Sequence, residues 1–307
     1  MLRSPLLLRR AAYLSLGVNI LLVVTGGAVR LTGSGMGCPT WPTCTDTSYI
    51  TTQALGYHGV IESGNRMLGG LVGIVTAIVL VLALLQRPRE RRQVGWAAAT
   101  LAGIPFQAVL GGITVKTHLN PWLVACHFLG SIAVIFAAYR LCLALSEPSG
   151  AVRQLLGGPL RTLNRVLLVV TGAVIVVGTV VTGSGPDAGD EHAHRTGLDP
   201  GMIAQLHADL VMLLIGLSVA WYLALRAVGA PAAARRAAAV LVAVELAQGT
   251  IGFVQYFTHL PVLLVGAHLL GACAVWLAAL RTQTTIRVRE AGPTAVESPA
   301  LAGAAAR

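Results

Sequence analysis

Three histidines lie inside apolar stretches at matching depth, where an ionisable side chain is costly enough to mark a functional site. Two of them occupy corresponding places in a duplicated passage. Gln107–Gly130 reads QAVLGGITVKTHLNPWLVACHFLG and Gln248–Gly271 reads QGTIGFVQYFTHLPVLLVGAHLLG, and the gapless alignment sets His127 on His268. His207 lies at a similar depth in the second apolar stretch of the second copy. Zinc asks for a denser set of Cys, His and carboxylate ligands than this. Two histidines facing each other between helices suit a low-spin heme, which takes one axial imidazole from each side of an apolar slot. Gly249, Gly252, Gly266 and Gly271 leave room for a flat ring, or equally for close helix packing. The plainer alternative is that each histidine only hydrogen-bonds a neighbouring helix, and repetition at one depth weighs against it.

The first copy carries a different set. His58, Glu62, Asn65, Arg66 and Gly69 recur at helical spacing and form one polar stripe that turns small and apolar further down, through Gly70 and Gly73. Glu62 is the sharpest catalytic candidate, because a positioned carboxylate can move a proton at a reacting group. The competing reading is an ion pair with Arg66 one turn on. Arg30 and Arg66, near the outer rim, could instead offer their guanidinium forks to carboxylates such as heme propionates.

Helices across a membrane must position these groups. A mean hydropathy of +0.74 and 11% charged residues over 307 residues leave no soluble domain. The pattern predicts an all-α membrane protein with eight transmembrane helices, at Ala12–Leu31, Tyr57–Leu85, Val94–Val115, Pro121–Leu145, Leu163–Val181, Gly201–Leu225, Ala237–Phe257 and Val262–Leu280. Of the 22 basic residues, all but Arg30, Arg66, Lys116 and Arg195 fall on the side that holds both ends of the chain, which predicts cytoplasmic termini in a cell membrane. The net charge of +10 is then mostly topology and calls for no nucleic acid. LTGSG at Leu31–Gly35 recurs as VTGSG at Val181–Gly185. The chain therefore reads as two parallel-repeat four-helix bundles: residues 11–146, a cytoplasmic linker at 147–162, residues 163–281, and a disordered tail at 290–307.

Taken together, TGGAVRLTGSGMGCPTWPTC (Thr25–Cys44), IESGNRMLG (Ile61–Gly69), QAVLGGITV with His127, the His207 region, and QGTIGFVQY with His268 resemble the heme A synthase family from about Leu21 to Leu280. The resemblance implies oxidation of a methyl group of heme O to a formyl group, giving heme A for cytochrome oxidase. It implies a cofactor heme b held by His207 and His268, a substrate heme site near His127, and Glu62 as the essential acid beside that substrate. Implied partners are heme O and dioxygen, heme O synthase, membrane lipid, and an electron donor, either a quinol or a membrane redox protein. The family also supports a disulfide between Cys38 and Cys44, which an oxidising compartment allows, against two free thiols. Pro39 and Pro42 stiffen that loop into a lid over the first-half pocket, with Trp41 as its membrane-seeking tip.

One departure matters. Many relatives have histidine three residues after the glutamate, where this chain has Asn65, a poor iron ligand. His58 cannot replace it, because it stands ~10.5 Å up the helix. The substrate iron is expected to bind His127 alone. A di-heme b-type electron-transfer cytochrome would prefer paired histidines in both halves. A transporter would need broken helices at the midplane, and none is evident.

Overall fold

A computed structural model describes residues 4–291. Among them, eight helices are long and apolar enough to cross a membrane: α1 (Pro5–Leu31), α2 (Gly56–Leu85), α3 (Arg91–Lys116), α4 (Pro121–Ala144), α5 (Gly158–Ser184), α6 (Pro200–Ala227), α7 (Ala232–Phe257) and α8 (Val262–Thr285). Most run several residues past the apolar windows, since helix ends carry their own signals. Proline stands in the first turn of α1, α4, α5 and α6, where its missing N–H costs no hydrogen bond. Asn120 caps α4 by accepting from the backbone N–H of Trp122 and Leu123, and Asp199 caps α6 by accepting from Met202. Large apolar side chains such as Leu14, Ile74, Val169, Leu223, Phe253 and Leu263 are exposed on the outer surface, as lipid contact requires.

Within the first half, α1 packs on α2 and α4, and α3 packs on both α2 and α4; α5 through α8 contact one another in the same way. The halves meet where α1 contacts α8 and α4 contacts α5, around Val23, Ile132, Ile135, Ile175 and Cys273. One face carries the start of α1, the α2–α3 turn, the α4–α5 segment and the end of α8. It holds most of the arginines and is called here the basic face; the opposite, loop face carries the Cys38–Cys44 segment. Each half has its packed core toward the basic face: Leu8, Ala12, Leu82 and Leu141 in the first, Trp221, Leu225, Leu241 and Ala279 in the second.

Two features were not expected from the pattern. A short antiparallel pair, β1 (Val152–Gln154) with β2 (Arg287–Arg289), ties the α4–α5 segment to the end of α8. The expected linker at 147–162 thus carries a strand, and α5 already begins at Gly158. Glu290 continues the pairing through its N–H to the Ala151 carbonyl, so the expected disordered tail begins with ordered backbone; its residues 292–307 lie outside the described residues. The second feature is the turn joining α3 to α4 and α7 to α8, where His118, Leu119, His259 and Leu260 all adopt positive φ. Leu119 N–H bonds the Thr114 carbonyl and Leu260 N–H bonds that of Gln255, each at 2.8 Å, closing both helix ends in the same way.

Candidate functional site

The three intramembrane histidines share one local construction. His127 on α4 lies against Gly111 of α3, His268 on α8 against Gly252 of α7, and His207 on α6 against Gly178 of α5. A Cβ on any of these glycines would stand 3.1 to 3.2 Å from the ring Cε1, so only glycine leaves the imidazole where it is. The backbone beneath two of the rings is held identically: Gln107 Nε2 donates to the His127 carbonyl at 2.7 Å, and Gln248 Nε2 to the His268 carbonyl at 2.8 Å. In all three, Nδ1 is buried without a hydrogen-bond partner, while the residue as a whole is only half-buried. Among the described residues nothing bonds Nε2, which is the accessible edge. His207 and His268 lie within electrostatic reach of each other.

Such a donor set fits heme iron. Imidazole binds iron through one nitrogen while the other faces protein, commonly a backbone carbonyl, and here the Nδ1 side of each ring faces protein. His207 and His268 could hold a heme between them, and His127 could bind a second iron from one side.

The first-half stripe is organised around the loop. Cys38 and Cys44 are joined by a disulfide. Glu62 is buried; its Oε2 accepts the backbone N–H of Cys38 at 2.6 Å and its Oε1 accepts from Arg66 Nε at 3.1 Å and from Arg66 Nη2. Arg66 also donates to the carbonyls of Thr40, Thr43 and Cys38 at 2.8, 3.1 and 3.0 Å. Each of its five N–H groups is thus engaged. The pair reads as a clamp from α2 onto the disulfide loop. Trp41 does not seek the membrane: its ring lies on the backbone of Gly112 in α3, and Lys116 stands 5.8 Å above it. The reason is space, since Gly112 has no side chain and lets the indole lie against the helix backbone.

His58 is spent on the TGSG turn, its Nδ1 3.0 Å from the Ser34 hydroxyl. Asn65 Oδ1 accepts from Thr25 at 2.8 Å, on the wall of a cleft of about 230 Å³ lined by Thr25, Ala28, Ile61, Gly64, Asn65 and Leu68. Arg30 does not reach into that cleft by any bond; it crosses between halves, its Nη2 donating to the Thr182 carbonyl of α5 at 2.5 Å. Thr182 is one turn above Gly178, which brings Arg30 toward the second-half histidines. Sequence reasoning named Gly252 among the glycines that leave room for a ring, but missed the seats at Gly111 and Gly178, the role of Gln107 with Gln248, and a buried carboxylate, Glu245, bonded to Ser218. The glutamines and two of the glycines, Gly111 and Gly252, lay in plain sight at matching positions of the duplicated passage.

The fold and site define a class: an eight-helix membrane protein with histidines seated on glycine between helices and a disulfide loop clamped by a buried ion pair. Residues 9–189 match the family described as cytochrome oxidase assembly protein, and the chain belongs to that family. It is 36% identical over 142 residues to a heme A synthase of Alkalihalophilus pseudofirmus, covering 44% of this chain and 45% of that protein. It is 30% identical over 139 residues to one of Geobacillus kaustophilus, covering 44% and 42%, and 29% identical over 148 residues to one of Symbiobacterium thermophilum, covering 48% and 47%. The chain thus matches less than half the length of these relatives. The family match ends before α6 and does not reach His207 or His268.

Proposed function

We propose that this chain is a heme A synthase, an oxidoreductase that converts the methyl group of heme O to a formyl group. The observation that carries this reading is the repeated seating of His127, His207 and His268, each on a glycine with the Nε2 edge open, in a chain of the cytochrome oxidase assembly family. Two hydroxylations by dioxygen, each drawing two electrons and two protons and releasing one water, give a gem-diol that loses water to leave the aldehyde. Heme b, when bound by His207 and His268, supplies a one-electron carrier from a membrane quinol or redox protein.

The chain's own residues do the remainder. His127 binds the substrate iron from one side, and Gly111 beneath its ring fixes the imidazole plane. Asn65, bonded to Thr25, occupies the place where a second histidine would otherwise ligate. Glu62 and Arg66 hold the disulfide loop over that end of the first half, excluding water from the reacting edge. Glu62 is the candidate to move the proton there, through the Oε2 now held by a single backbone N–H. Dioxygen and heme O, arriving from heme O synthase, are the substrates, and both termini face the cytoplasm.

Expression in cells that supply heme O, with mass analysis of the extracted hemes, tests the reading. Heme A is expected from the wild-type chain, and less than about a hundredth as much from His127→Ala, the loss typical of a removed positioning group. A wild-type protein that keeps a low-spin heme spectrum but leaves heme O unchanged would instead be an electron-transfer cytochrome.

A further inference from the structure

Glu245 stands midway along α7 and is only 3% exposed. Its Oε1 accepts from Ser218 Oγ of α6 at 2.8 Å, while its Oε2 is buried with no partner. Around it the second-half core is closed by Leu214, Trp221 and Leu241, and the Trp221 indole N–H, one turn along α6 from Ser218, is also buried and unpaired. A carboxyl group in such a place is expensive with one hydrogen bond, and serine or glutamine would supply that bond at lower cost. Its placement along α7 is the second observation. Glu245, Gln248 and Gly252 fall at i, i+3 and i+7, so they share one helix face. Gln248 bonds the backbone of His268, and Gly252 seats the His268 ring. The carboxyl therefore lies about two turns, ~10 Å, from that ring toward the basic face. Carried three residues upstream, the same gapless alignment sets Ile104 on Glu245, so the half with a single candidate ligand lacks the carboxyl.

We propose that Glu245 is the redox-linked proton acceptor of the second-half heme, a role that rests on the assignment of His207 and His268 as ligands. With heme held by His207 and His268, one-electron reduction by a membrane quinol, itself oxidised toward quinone with its own protons lost to solvent, would be matched by uptake of one proton from solvent at Glu245, which passes from carboxylate to carboxylic acid. Reoxidation, as the electron moves on to the first half, would return that proton to solvent. The physical cause is Coulombic: reduction removes one positive charge at the iron, which an apolar interior screens poorly over this distance. Among the described residues the Ser218 hydroxyl is the sole bonded partner of the Glu245 carboxyl, and no ion pair holds it. Tyr222 and Arg226 of α6 and Arg281 of α8 lie along their helices toward the basic face. His207 and Asp209 of α6 and His268 of α8 lie toward the loop face, and Cys273 of α8 packs between the halves.

Linkage then fixes the sign. Between the proton affinities of Glu245 in the oxidised and reduced protein, the reduction equilibrium weakens about tenfold for each pH unit of increase, and it is flat on either side. Redox titration of the purified full-length protein at the heme absorption band, repeated across pH, should show that slope in wild type and its loss in Glu245→Gln. Ser218→Ala, which keeps the carboxyl and removes its only bond, should move the sloping region along the pH axis. A carboxylic C=O band in the wild-type redox-difference infrared spectrum, shifted by Ser218→Ala, is expected as well, and decides the matter if Glu245→Gln does not assemble. A normal low-spin spectrum with an unchanged slope in Glu245→Gln overturns the proposal alone, as does absence of the band. Lack of any low-spin heme in wild type overturns it together with the ligand assignment.

Discussion

Glu62 is asked to do two things that compete for the same oxygen atoms. As a clamp it must stay ionised against Arg66 and the Cys38 N–H; as a proton carrier it must let one of them go. Glu62→Gln separates the roles, since the amide oxygen still accepts from Cys38 while the charge is lost. If the carboxylate moves protons, this variant should keep its disulfide and its second-half heme yet make heme A at no more than about a hundredth of the wild-type rate. Arg66→Gln should act oppositely. It leaves a buried carboxylate unpaired and loosens three loop carbonyls, costing about 3 kcal/mol, the low end for a broken buried pair because Arg66 stays partly exposed. Its signature would be a protease-sensitive loop. Near-normal heme A from Glu62→Gln in intact protein would leave Glu62 as a positioning residue only. The i, i+4 pairing was legible in the sequence, because it is set by one helix. The loop partners were not, because they come from residues 23 to 28 positions away whose path only the folded turn defines.

At the level of helices, the seats beneath the histidines argue for a stiff scaffold. Gly178→Val or Gly252→Val places branched carbons where the ring Cε1 now lies, and overpacking of this kind costs roughly 1 to 3 kcal/mol. The expected result is a weakened or high-spin heme signal from a protein that still inserts. Gly172→Ala is the control on α5, since nothing lies within 4 Å of a Cβ there. Unchanged spectra in both valine variants would mean the rings are not held for ligation. All eight helices were readable because apolar windows near the bilayer thickness leave little choice. Turn chemistry was not: Leu119 and Leu260 carry no glycine-like signal at their positive φ, and the hydrogen bonds to Thr114 and Gln255 that stabilise them form only once the preceding helix exists to be closed. Trp41 was misplaced for a related reason, since its landing site on Gly112 is a property of the assembled pair of segments.

For the molecule as a whole, two independent features bear on the proposed orientation. Glu147, at the end of α4, gathers Arg92, Arg287 and Arg289, and with the β1–β2 pair it locks the basic face of both halves together. Such a concentration of arginine is retained on the cytoplasmic side. The Cys38–Cys44 disulfide lies on the other face, and a disulfide persists where the compartment is oxidising. If the two features conflicted, one of them would be adventitious; here they agree. Thiol labelling in a Cys126→Ser background tests the agreement, with Glu191→Cys on the exposed α5–α6 segment and Gln154→Cys on the basic face. An impermeant reagent should label the first in intact cells and the second only after the membrane is opened. The reverse pattern would put the disulfide loop in a reducing compartment, and with it the clamp by which Glu62 and Arg66 close the first half.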